Sequence, residues 1–163
     1  MPAREPMSHV DTAWLRMDQP NNLMQIVGVM LFAGTLDPDR LRSSIEKRLL
    51  AYDRFKQVVQ QDDAGYSWVD DPEFDLDQHL HHAILPGVAG KPELQRFVAD
   101  LASTPLNPSR PLWAFDIVDT ALGGQALVMR IHHCIADGIA LLGVILSMAD
   151  ESAPPPRHST AKN

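Results

Sequence analysis

Two adjacent histidines, His132 and His133, are followed by Asp137 and Gly138 in the order H-H-x-x-x-D-G. An imidazole takes up or releases a proton near neutral pH, a carboxylate orients or caps, and a glycine turns tightly with no Cβ in the way. The residues leading in alternate, so a strand would place Leu127, Met129, Ile131 and His133 on one face and Val128, Arg130 and His132 on the other. The two histidines then serve different roles. His133 leaves an apolar face at a strand end, where it can meet a bound molecule and accept its proton. Asp137 stands where the next helix would take its N-cap. No metal is expected, because neighbouring strand residues point apart and do not converge on one ion. Cys134 is an isolated cysteine and reads as a small buried hydrophobe rather than a nucleophile.

These residues need elements to hold them. Ser8 and Asp11 form an S-x-x-D start for a short helix that Pro20 ends, and residues 24–32 are apolar and partly β-branched, as in a buried strand. Asp37 and Pro38 open a helix with Leu41, Ile45 and Leu49 on one face. Residues 55–60 and 66–69 flank turn residues and predict a hairpin, and residues 91–102 repeat a helical spacing. Residues 113–118 and 125–131 are strands joined across Gly123 and Gly124, and residues 138–148 form the last helix. Residues 70–85 show no regular pattern, so His79, His81 and His82 are read as solvated loop residues, with a substrate entrance as their other use. Trp14 and Trp113 are read as packing anchors, and Arg110 as a partner for an acidic group such as Asp137. Strands and helices interleave without a strict βαβ rhythm, which predicts an α/β sandwich on a mixed sheet. Residues 1–150 form the domain, and the Pro-rich stretch 151–163 is a linker or tail.

A chain of 163 residues, 45% hydrophobic and 21% charged, can bury a core without disulfides or metal. The net charge of −7, with 14 scattered basic residues, argues against a nucleic-acid binder. No basic-then-apolar leader opens the chain and no apolar run approaches ~20 residues, so the expectation is a cytoplasmic protein with peripheral membrane contact left open.

The H-H-x-x-x-D-G pattern is shared by coenzyme A-dependent acyltransferases and peptide-synthetase condensation domains. Three further stretches narrow the resemblance: residues 7–15 (MSHVDTAWL), 18–24 (DQPNNLM) and 105–113 (PLNPSRPLW). Together they resemble the bacterial wax ester synthase/diacylglycerol acyltransferase family, from about Met7 to Asp150. The resemblance implies a coenzyme A-dependent acyltransferase fold, of which this chain is one half of a two-domain architecture. It implies acyl-CoA as co-substrate, diacylglycerol or a long-chain alcohol as acceptor, and contact with membranes or lipid inclusions. It makes His133 the general base, with His132, Asp137 and Gly138 supporting. A C-terminal acyltransferase domain is implied as partner, so the chain alone is expected to be a weak or inactive enzyme. Two other readings stand beside it: a non-catalytic lipid-binding or assembly module, and a condensation-type domain acting on carrier-bound acyl groups. Residues 7–15 and Pro111 to Trp113 argue against the latter.

Overall fold

The computed structural model describes residues 4–135 and, beyond them, Gly143 and Ile145. The linker assignment for 151–163, and Asp137 and Gly138, lie outside the described residues. Of the last expected helix, Gly143 and Ile145 are helical.

After a short strand β1 (Arg4–Pro6), Ser8 caps α1 (His9–Met17): its hydroxyl accepts the Asp11 N–H at 3.1 Å. Asp18 ends α1, and β2 (Gln25–Leu31) follows. Asp37 caps α2 (Pro38–Ser44), receiving the N–H groups of Asp39 and Arg40. The single helix expected here widens into a π-turn at Ile45–Leu49, in which Leu50 N–H reaches the Ile45 carbonyl. A repeat of four residues is longer than the 3.6 of an α-helix, and the wider turn keeps Leu41, Ile45 and Leu49 on one side. Ile45 and Leu49 are both fully buried.

The hairpin forms as expected, β3 (Gln57–Asp62) and β4 (Gly65–Asp70), but it pairs with β1 into a separate three-stranded antiparallel sheet. The residues expected to be irregular instead hold β5 (Leu80–Ile84), which runs parallel to β6 (Trp113–Asp119). The link between them is α3 (Lys91–Ala102), the kind of crossover that parallel pairing requires. Polar residues obscured β5: it is an edge strand with His81 and His82 exposed, so no apolar alternation marks it.

The main sheet has the order β2-β7-β6-β5, antiparallel except for β5 and β6, which is the mixed sheet expected. Its centre is β7 (Gln125–His132), buried at every position. Gly124 is required where β7 begins, since a Cβ there would lie 1.8 Å from the Phe32 carbonyl oxygen. One face of the sheet, carrying Trp113, Phe115, Leu127, Met129 and Ile131, packs with Ile45, Leu49, Phe55 and Trp68. The other, carrying Val118, Ala126 and Val128, packs under Leu94, Phe97, Val98 and Leu101 of α3. No helix among the described residues is long and apolar enough to cross a membrane.

Candidate active site

The end of β7 is where the two histidines part. His132, opposite Gln25 of β2, is on the α3 side of the sheet and is buried, whereas His133 follows the strand and is half-buried. The His133 N–H donates to the Met24 carbonyl at 2.9 Å, so backbone pairing with β2 continues one residue past the strand. The alternation read from the sequence therefore holds as far as the site.

His132 is pinned. The Cys134 N–H donates to its Nδ1 at 3.1 Å, and the Ile135 N–H donates to its carbonyl at 3.1 Å, so the ring closes the turn that follows the strand. With Nδ1 accepting, the neutral ring carries its proton on Nε2. That nitrogen lies 3.7 Å from Asp18 Oδ2, too far for a hydrogen bond and close enough for electrostatic attraction. Burial pushes the His132 pKa below the ordinary histidine value, with the Asp18 carboxylate pulling the other way. Asp18 is itself fixed, because its Oδ1 accepts the Met24 N–H at 2.7 Å.

His133 is differently placed. Its ring stacks on Trp14 with centroids 4.3 Å apart and planes 17° from parallel. Neither ring nitrogen has a hydrogen-bond partner among the described residues. Sequence reasoning gave Trp14 a packing role and did not single out Asp18. The signal was their spacing: residues four apart share a helix face, so α1 and its end present Trp14 to His133 and Asp18 to His132.

The remaining candidates sort by environment. Cys134 is fully buried, and burial pushes its thiol pKa far up, so it is the inert hydrophobe expected. Trp113 is the core anchor expected, its Nε1 donating to the Phe55 carbonyl at 2.9 Å. Arg110 pairs with Asp71 and Glu73, each at 3.4 Å, because the loops carrying 71–73 and 107–110 lie side by side. The reading of His79, His81 and His82 as solvated loop residues is corrected in two ways: His79 lies in a turn but is not solvated, and His81 and His82 are exposed but lie on a strand. His79 is buried, stacked between Phe74 and Trp113, with Nδ1 2.7 Å from the Trp113 carbonyl oxygen. His81 and His82 lie on β5, facing Asp116 at 3.5 Å and Asp119 at 3.0 Å. On the α3 side, Gln25 donates to the carbonyls of Leu101, Ala102 and Thr104 and Arg130 donates to the carbonyl of Thr104, at and just past the C-terminal end of α3, which braces the strands that hold the histidines. Among the described residues no group of three or more His, Cys, Asp and Glu could hold a metal.

A groove of about 720 Å³ runs beside α2, lined by Met30, Phe32, Leu36, Leu41 and Leu127 with Lys47 at its rim. Leu127 is six residues before His133, about 20 Å along an extended strand, so groove and histidines are separate features.

Comparison with known proteins bears on the family and the fold. Residues 7–163 match the wax ester synthase/diacylglycerol acyltransferase catalytic domain. A Mycobacterium bovis protein named as a diacylglycerol O-acyltransferase is 34% identical over 120 residues, covering 71% of this chain and 26% of its own. A Mycobacterium tuberculosis protein, also named as a diacylglycerol O-acyltransferase, is 31% identical over 125 residues, covering 74% of this chain and 46% of its own. The chain thus spans less than half the length of these relatives. In fold it is similar to the wax ester synthase/diacylglycerol acyltransferase of Marinobacter aquaeolei VT8, with a TM-score of 0.72, 24% identity, and coverage of 93% of this chain and 39% of that one. It is also similar to the starter condensation domain of rhizomide synthetase in complex with C8-CoA, with a TM-score of 0.75, 17% identity, and coverage of 90% and 34%. The match along almost its whole length identifies this chain as a member of the wax ester synthase/diacylglycerol acyltransferase family.

Proposed function

We propose that this chain is the base-bearing half of an O-acyltransferase that moves a fatty acyl group from acyl-CoA to diacylglycerol or a long-chain alcohol. The observation that carries the reading is His133: half-buried, held at a strand end, its ring nitrogens unoccupied by any described residue. A hydroxyl is a poor nucleophile at neutral pH, and a positioned base contributes roughly 10²–10⁴-fold. His133 takes the acceptor's O–H proton as its oxygen attacks the thioester carbonyl. The tetrahedral intermediate then collapses, the C–S bond breaks, and the proton passes from His133 to the departing coenzyme A thiolate. No covalent acyl-enzyme forms. His132 sets the turn that presents His133, and Asp137 and Gly138 support it from the following segment.

The short coverage of its relatives supports a second, C-terminal domain that completes the site, including donors for the tetrahedral oxyanion. The lipid acceptors place the reaction at a membrane surface or lipid inclusion, reached from the cytoplasm.

The test is thiol release and ester formation from palmitoyl-CoA with a long-chain alcohol or diacylglycerol, by this chain alone and with the C-terminal domain of a full-length relative added. Acceptor-dependent ester with the second domain present, and little without it, is expected. Absence of ester in both samples, or turnover only of carrier-bound acyl groups with amines, overturns the assignment.

A further inference from the structure

The Trp14–His133 stack covers one face of the candidate base. Trp14 is half-buried at the margin of the main core, and its indole lies nearly parallel to the imidazole at 4.3 Å, over a ring that is itself only half-buried. The contact joins two elements far apart in sequence, and it fixes the plane of the ring whose nitrogens the described residues leave unengaged. Four residues on, Asp18 addresses His132 from the same side of α1. The helix and the residue that ends it thus face both histidines.

We propose that Trp14 is a positioning residue for His133, and that its indole face favours the protonated ring formed during acyl transfer. The inference rests on the reading of His133 as the base. Stacking sets the direction of the imidazole lone pairs, since the ring cannot rotate about its χ2 without losing the indole. An aromatic face also attracts a cation, so the contact strengthens when His133 takes the acceptor's proton. An interaction stronger in the transition state than in the ground state raises turnover rather than substrate affinity. Among the described residues the ionisable groups near this end of β7 include Asp11 and Asp18, whose charges both act on Cys134, and His132 beside it. Among the described residues none of them touches the face of the His133 ring that Trp14 covers.

Two measurements on the whole chain separate this inference from the reading beneath it. First, proton NMR of the histidine rings: the His133 ring protons lie upfield under the indole's ring current in the native chain, keep part of that shift in Trp14→Phe, and lose it in Trp14→Leu. Unchanged His133 resonances in Trp14→Leu overturn the stack whatever the activity. Second, ester formation under the conditions above: kcat falls roughly 2- to 30-fold in Trp14→Leu with KM near that of the native chain, the range that cation–π energies correspond to, and Trp14→Phe recovers most of it. Equal kcat in all three chains overturns the positioning role even where His133→Ala is inactive. If His133→Ala instead keeps full activity while the upfield shift is present, the reading of the base fails and the stack remains.

Discussion

The chain holds two histidine clusters, 79–82 and 132–133, and they put one side chain to opposite uses. His79 has its Nδ1 committed to a backbone carbonyl and both ring faces covered by Phe74 and Trp113, so it behaves as a polar core residue. His133 has one face covered by Trp14 and no ring nitrogen committed among the described residues. His132 stands between these cases, with one nitrogen bonded and the other facing a carboxylate at 3.7 Å. Chemistry is available where the fold leaves a ring nitrogen both uncommitted and within reach of a bound molecule. A count of histidines would not show it.

That comparison can be broken most sharply by alanine at each cluster. His133→Ala is expected to lower ester formation roughly 10²–10⁴-fold and to leave the thermal midpoint almost unchanged, since the ring is half-exposed and makes one stack. His79→Ala is expected to do the reverse. It removes a buried ring between two aromatics and leaves the Trp113 carbonyl without its partner, a loss of roughly 2–4 kcal/mol by chemical denaturation. Activity of the molecules that remain folded should not change.

Acid sharpens the same contrast. Burial lowers the pKa of His79 and of His132 below the ordinary histidine value. The unfolded chain then binds more protons than the folded one as pH falls below about 6.5. The stability these rings contribute is complete above that pH and is lost progressively as pH falls through the region beneath it. Denaturant midpoints of the native chain should therefore drop on acidification, and His79→Phe should show a shallower drop.

Asp18→Asn tests how firmly the second cluster is held. The amide oxygen can still accept the Met24 N–H, so the fold should survive with a stability change below about 1 kcal/mol. Loss of the carboxylate removes the group that opposes the burial effect on His132. NMR titration should therefore find His132 protonating at lower pH than in the native chain, with kcat reduced several-fold. The smallest effect is expected at Cys134. Its thiol is buried and its pKa pushed up, so alkylation should be slow until the chain is unfolded, and Cys134→Ala should leave acyl transfer within about twofold.

Much of this arrangement was legible in the sequence. Capping residues located the helices: Ser8 for α1, Asp37 and Pro38 for α2, and the span of α3 agrees with the 91–102 expected. Strand geometry separated His132 from His133, because β7 stays extended and paired with β2 to its end, so successive side chains keep pointing to opposite faces. What was not legible depends on partners distant in sequence. The strand at Leu80–Ile84 carries two exposed histidines and takes its order from β6, which local pattern does not reveal. The three residues of β1 owe their extended pairing to β4. Trp14 and Asp18 lay in the stretches that carried the family resemblance, yet their link to the histidines appears only when α1 is set against the end of β7.

The central claim is that His133, and not His132, accepts the acceptor's proton. Chemical rescue addresses it most directly: ester formation by His133→Ala and by His132→Ala is followed, with the C-terminal domain present, as imidazole is added to the assay. The account predicts that imidazole restores activity to His133→Ala in proportion to its concentration and does nothing for His132→Ala, whose defect is a lost turn rather than a lost base. Rescue of His132→Ala alone, or an unimpaired His133→Ala chain, would contradict it.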